Sequence, residues 1–412
     1  MSGPLSSLSV ELVQEIAAYL DTHDQAAVRA TCSALSAALD PLLFSALTLN
    51  IRNESLEQDL SRLRALGDGT TPYSHYARDL HIKQLTPYFW NPKQDPNIAD
   101  REAYCHSQLD ELLKPALESL RVDKLQSVRW VGSSYERPSV VEILLDTLAK
   151  FQLRDVAYTF GAGLRNFSIP AVDRLSGPSL KGFQVIILGR PRDRLDPIHR
   201  LLHRSPNLTT LSLLTPPDIP YLEEIWRCLQ STSIHLAELT TNYVSIQLHD
   251  YLTSYTGLQR IVLSVVHASH DMADVFFQRV LPHQSASLVE LRLSPRDAGH
   301  WSFGGHNVNI FRVSSLSRLE TLEITLDWTP RDSYRQLDND LARLLNMLPR
   351  LPALRTLTIE CTIDSSLSSQ ELSNYLSEDG TETRVMSALL AAENPQPTKQ
   401  PKPSEVCSGL HA

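Results

Sequence analysis

A six-residue motif, Leu-x-x-apolar-x-apolar, recurs along most of the chain and limits what it can fold into. Clear copies start at Leu125 (LQSVRW), Leu153 (LRDVAY), Leu180 (LKGFQV), Leu208 (LTTLSL), Leu258 (LQRIVL), Leu288 (LVELRL), Leu319 (LETLEI) and Leu354 (LRTLTI), with weaker ones at Ala77 (ARDLHI) and Leu236 (LAELTT). From Leu125 onward the starts lie 28, 27, 28, 28, 22, 30, 31 and 35 residues apart. Each copy reads as a short strand with its apolar residues on one face. Segments of helical spacing lie between them, among them PSVVEILLDTLAKF, DPIHRLLHRSPN, PYLEEIWRCLQS, SIQLHDYLTSY, MADVFFQRVL and LDNDLARLLNML. In the first, Pro138 suits an opening turn, and Val141, Leu144, Leu145 and Leu148 share a face. One strand–helix unit cannot bury its apolar side alone, whereas stacked units bury one continuous core. Alternating strands and helices also build doubly wound sheets, but the near-constant spacing of one motif favours an α/β repeat solenoid.

A consensus of this form at 20–29 residues is the signature of leucine-rich repeats, with the longer steps accommodating loop insertions. The expected body therefore resembles an irregular leucine-rich-repeat solenoid over residues 46–366. Two stretches interrupt it: QLTPYFWNPKQDPNIADRE from Gln84, and SPRDAGHWSFGGHNVN after Leu293. The pattern stops near Leu367. A C-terminal helical cap is expected over 367–392, and a Pro- and Lys-bearing disordered tail over 393–412.

The first 45 residues are built differently. LSVELVQEIAAYL puts Val10, Leu12, Val13, Ile16, Ala17 and Leu20 at helical spacing behind Ser9 as N-cap. Thr22 and Gln25 have the form of a capping box for a second helix carrying Ala27, Val28, Thr31 and Leu35, and ALDPLLF suggests a third. Three helices in about 40 residues cannot bury all their apolar surface against one another, so some is left for a partner.

The run Leu8-Ser9-x-Glu11-Leu12-x-x-x-Ile16-x-x-Tyr19-Leu20, followed by Asp24, Val28 and Cys32, resembles the F-box motif over residues 5–44. Ser9 stands where the family has proline, Gln25 where it has leucine, Thr31 for valine and Leu35 for tryptophan. The resemblance implies a three-helix F-box that binds a Skp-type adaptor, and through it a cullin–RING ubiquitin ligase. By the same resemblance Leu8, Leu12, Ile16, Leu20, Val28 and Leu35 divide between the motif's own core and the adaptor. The alternative is an N-terminal helical hairpin that only caps the solenoid.

Composition agrees with a folded protein whose partners are proteins. Net charge is −9 with no basic run, which argues against nucleic acid. There is no apolar stretch of membrane-spanning length, and the MSGPLSSLSVELVQ start lacks a signal peptide's basic n-region. Cys32, Cys105, Cys228, Cys361 and Cys407 are scattered without a Cys-x-x-Cys pair, fitting reduced thiols of cytoplasm or nucleus. Nucleotide loops and nucleophile elbows are missing; GAGLRN at Gly161 and GGHNVN at Gly304 match neither. His199 and His203 lack the glutamate of a zinc-protease helix, and His267, His270 and Asp271 fall in a turn where such residues cap helices. No catalysis, cofactor or metal is expected.

Two surfaces are candidates for an unidentified protein substrate. Alternate strand residues, namely Arg129, Asp155, Gln184, Arg260, Glu290, Arg292, Glu323 and Glu360, face away from the leucines. Tyr88, Phe89 and Trp90 in one insertion, and Trp301 and Phe303 in the other, are interface-type aromatics, although loop aromatics also fold back over core edges. The chain holds 8 lysines against 30 arginines, with none before Lys83 or between Lys181 and Lys399. Few acceptor amines would suit a receptor beside a ubiquitin-transfer centre; arginine-biased coding gives the same excess. The leading expectation is the substrate-recognition subunit of an SCF-type ligase, and the alternative a leucine-rich-repeat scaffold acting outside one.

Overall fold

The computed structural model describes residues 8–87, 98–133, 136–160, 165–191, 195–216, 219, 222–264, 269–295, 300–303, 312–313, 315–326 and 334–361. The chain divides into two compact units, Met1–Leu208 and Thr209–Ala412. The C-terminal cap and tail expected from the sequence lie outside the described residues, as do Tyr88, Phe89 and Trp90.

The first unit begins with three helices, α1 (Val10–Ala17), α2 (Thr22–Arg29) and α3 (Ser33–Leu43). Ser9 caps α1, its hydroxyl accepting from the Leu12 amide. The capping box expected at Thr22 is displaced by one residue: Asp21 caps α2, accepting from the Asp24 amide at 2.8 Å. Gln25 instead turns back to α1, donating to the carbonyls of Ala17 (2.9 Å) and Leu20 (3.1 Å). Carbonyls at a helix end have no intrahelical partner, so this amide fixes the α1–α2 corner. Val13 and Ala17 pack against Leu35, Ala38 and Leu39, with Val28 and Leu43 at the rim. Gln14 donates to the Ala38 carbonyl at 2.9 Å, and Arg29 pairs with Asp40 at 2.5 Å, tying α3 to both other helices.

Strands β1 (Ala46–Asn50), β2 (Asp79–Gln84), β3 (Ser127–Val131), β4 (Asp155–Phe160) and β6 (Gly182–Ile187) follow, paired in that order and all parallel. β5 (Arg165–Phe167) and β7 (Arg190–Pro191) form a separate two-stranded parallel sheet. Helices Leu56–Gly67, Ile98–Glu118, Pro138–Leu148 and Asp196–His203 cover the leucine side. Pro138 opens its helix as expected, but Val140 is the buried residue there and Val141 only half-buried. The long step from Ala77 to Leu125 is a complete repeat. Its 21-residue helix, Ile98–Glu118, buries Cys105, Leu109, Leu112, Leu113 and Leu117.

The second unit carries β8 (Thr210–Leu214), β9 (Glu238–Thr241), β10 (Arg260–Leu263), β11 (Glu290–Leu293), β12 (Thr321–Leu326) and β13 (Thr356–Cys361), again parallel and in sequence order. Helices Leu222–Ser231, Ile246–Leu252 and Tyr334–Met347 lie between strands; His270–Val275 continues through a π-turn, Phe276–Val280, into Leu281–Gln284. Trp226 stacks on Tyr251. Buried Gln284 donates to the carbonyls of Leu252 and Tyr255 and accepts from the Leu258 amide, so this polar side chain joins two repeats with its hydrogen bonds satisfied.

One device recurs in both units. The carbonyl of each motif's second residue accepts two amides from the next copy: Gln126 from Arg154 and Asp155, Arg154 from Lys181 and Gly182, Ala237 from Gln259 and Arg260, Gln259 from Val289 and Glu290, all at 2.7–3.1 Å. This forked bond sets the register, and register decides which side chains reach the core. The motif's three apolar positions are accordingly buried in the copies from Leu125 to Leu319, with Thr241 third in the weaker copy at Leu236; Leu354 is half-buried.

Candidate functional site

Apolar exposure is concentrated at the N-terminus. Eleven large hydrophobic residues are exposed among the described residues, and six of them precede Ala46: Leu8 (37%), Val10 (51%), Leu12 (48%), Ile16 (48%), Tyr19 (87%) and Leu42 (36%). Leu12 and Ile16, four residues apart, share one face of α1 as an apolar stripe, with Leu8 just before its N-cap and Tyr19 just past its end. The apolar positions of α1 do not act together as a single core face. Val13 and Ala17 point to α3, while Val10, Leu12 and Ile16 face out. Turning the helix to bury Leu12 and Ile16 would expose Val13 and Ala17, so three short helices leave one apolar side uncovered. A clustered patch of this kind marks a contact surface. Glu11 and Glu15 flank it. The Glu11 carboxylate is held below its usual pKa by its backbone amide and the Ser9 hydroxyl.

The six residues assigned to the adaptor or the motif core separate accordingly. Leu12 and Ile16 are together on the stripe, with Leu8 just before it. Leu20 and Val28 are half-buried, Val28 against the helical core. Leu35 is corrected to a core residue: it is 6% exposed and fills the space between α1 and α3. Sequence reasoning placed Tyr19 in the motif without giving it a contact role and passed over Leu42, both exposed here.

The strand faces opposite the leucines are polar, as the motif's register requires. Arg129, Asp155 and Gln184 are exposed in the first unit. Asp155 lies directly over Gly182, where a Cβ would meet its Oδ1, and burial pushes its carboxyl pKa up. In the second unit Arg260 and Arg292 belong to a ladder across four strands. Arg260 lies 3.8 Å from Glu238 and 3.0 Å from Glu290; Arg292 lies 2.5 Å from Glu290 and 3.3 Å from Glu323. Ser294 donates to Glu323 at 3.0 Å. Each guanidinium spans two carboxylates, so a partner reaching either arginine has to displace an existing pair.

Trp301 is corrected from a substrate anchor to a core residue. It is 4% exposed, with its ring centroid 5.4 Å from Phe276 and 6.1 Å from Phe277. Phe303 beside it is also buried and bridges to Leu326. Trp301 and Phe303 are thus packed into the core instead of being offered to a partner.

The His270 ring packs at a 40° tilt against His300, whose Nδ1 is 3.4 Å from Asp274; His267 is outside the described residues. Asp21, His23 and Asp24 bring metal-ligating atoms together, but all three are exposed and Asp21 is occupied in capping α2. His249 is fully buried on Phe276, and burial lowers its pKa to about 4. Among the described residues no helix is long and apolar enough to cross a membrane.

Glu136 gives a pH-dependent prediction. Burial raises its pKa to about 7 against the opposing Trp130 indole, which donates to Oε1 at 3.4 Å, and the backbone of Ser133 and Leu85. Below pH 4.5 the carboxyl is protonated in folded and unfolded chains alike. As pH rises to 7 the unfolded chain loses this proton first, so stability falls across that window and stays low above it. Glu136→Gln should therefore stabilise the protein by roughly 2–3 kcal/mol at pH 8 and by almost nothing at pH 4.5, in urea unfolding at the two pH values. An equal effect at both would show that this burial does not govern the proton.

No protein-family model matches the chain, and none of the curated proteins does. Among solved structures the chain is similar to the crystal structure of the Rad7 and Elc1 complex in yeast, with a TM-score of 0.39 and 10% identity, covering 90% of this chain and 97% of that one. It is also similar to a protein from Bacteroides fragilis, with a TM-score of 0.29 and 13% identity, covering 81% of this chain and 71% of that one.

Proposed function

We propose that this chain is the substrate-recognition subunit of an SCF-type cullin–RING ubiquitin ligase. The observation that carries the reading is the uncovered apolar stripe of Leu12 and Ile16, flanked by Leu8 and Tyr19, on a three-helix element, in the residues that resemble an F-box. A Skp-type adaptor covers that stripe. Completing the burial of half-exposed leucine-sized side chains contributes about 1 kcal/mol each, before any polar contact at the rim. The parallel repeats present their polar strand faces to a protein substrate, which is modified by being held near the transfer centre, with no catalysis by this chain. Cofactor, metal, nucleic acid and membrane have no part in this reading, and the assembly works in cytoplasm, nucleus or both.

The test is co-expression with a Skp-type adaptor followed by size-exclusion chromatography. Co-elution at equal stoichiometry is expected, with a cullin–RING scaffold joining only when the adaptor is present. Separate elution of a folded chain and a folded adaptor would leave a leucine-rich-repeat scaffold outside any ligase as the better account.

A further inference from the structure

Lysine is distributed along this chain in a way that a uniform preference for arginine does not produce. The first 181 residues hold six lysines and twelve arginines; residues 182–398 hold eighteen arginines and no lysine. The second unit thus makes all its described Lys/Arg ion pairs with guanidinium. Several are single exposed pairs that an ammonium would serve equally well: Arg227–Glu223 at 3.8 Å, Arg279–Asp250 at 3.3 Å and Arg355–Glu320 at 3.5 Å. The first unit does use lysine in such a place, in Lys150–Glu118. The geometry of the pairs therefore does not account for the absence of lysine from residues 209–398 of the second unit.

The two cations differ in nucleophilicity. A lysine amine, with a pKa of about 10.4, can lose its proton and attack; a guanidinium, above about 12, cannot. In ubiquitin transfer the neutral amine attacks the carbonyl of ubiquitin's C-terminal thioester. A C–N amide bond forms, the C–S bond breaks, the thiolate leaves with the electron pair, and the amine's proton passes to a base or to water. Resting on the ligase reading, we propose that the second unit is the part of the receptor that works within reach of the transfer centre. The absence of lysine from its residues 209–398 directs ubiquitin to the bound protein and away from the receptor itself.

The experiment reconstitutes the full chain with a Skp-type adaptor, a cullin–RING ligase, ubiquitin and its activating and conjugating enzymes. Wild type is compared with Arg227→Lys/Arg279→Lys/Arg355→Lys and with a first-unit control, Arg52→Lys/Arg62→Lys/Arg121→Lys. All six side chains are more than half exposed and keep their charge, so folding and adaptor binding are preserved. Peptide mapping should find ubiquitin on the three introduced second-unit lysines, with self-modification raised about threefold or more over wild type, and a smaller rise in the control. Adaptor-bound receptor whose second-unit lysines are modified no more than the control's would overturn the proposal and leave the ligase reading standing. A receptor that binds no adaptor and carries no ubiquitin at any lysine would overturn both.

Discussion

Leu12→Asp combined with Ile16→Asp should abolish adaptor capture, with affinity falling about 100-fold or more, while the melting temperature stays within a few degrees of wild type. Both side chains are 48% exposed and lie outside the core formed by Val13, Ala17, Leu35, Ala38 and Leu39. A carboxylate at either position is therefore solvated in the free chain and desolvated without a partner only when the adaptor covers the stripe. Val13→Asp is the contrasting variant, because it buries a charge between α1 and α3 and should unfold the three-helix element. Calorimetric titration with a Skp-type adaptor, paired with thermal melts, separates the two effects. A double variant that still binds with wild-type affinity would remove the stripe from the interface.

Trp301→Ala should cost about 3–5 kcal/mol of stability, the range for deleting a large aromatic side chain from a core. The indole is nearly inaccessible and rests on Phe276 and Phe277, which are themselves fully buried beneath it. Truncation opens a cavity between the insertion and the π-turn, and the aromatic pairs lose their contact energy as well. Urea unfolding of wild type and variant measures the difference. A loss below about 1 kcal/mol, accompanied by weakened substrate capture, would return Trp301 to the role of a surface anchor.

The repeat fold was legible because one physical requirement is written at nearly every copy. Positions one, four and six of the motif must be buried together, and the forked carbonyl bond at position two repeats with them. The Ile98–Glu118 helix was not legible. Its opening turn, with Asp100, Arg101 and Glu102, follows a Pro- and Asn-rich stretch and reads as loop, although Cys105, Leu109, Leu112, Leu113 and Leu117 have helical spacing. Gln25 was misassigned because a capping box and a reach back to a neighbouring helix share the same local pattern. For Trp301 the sequence offered both an interface and a fold-back reading, and it could not choose between them because the rings that bury it come from about 25 residues earlier. At the candidate site the register of α1 was half legible. The sequence shows which residues are apolar, but only the packing of α3 decides that Val13 and Ala17 turn inward and Leu12 and Ile16 outward.

Amide hydrogen exchange of the full chain, with and without a bound Skp-type adaptor, tests the central claim most directly. Slowed exchange should be confined to residues 8–43 and be largest across Leu12–Ile16, with the strands of both units unchanged. Slowing that falls instead on the polar strand faces, with α1 exchanging as in the free chain, would contradict it.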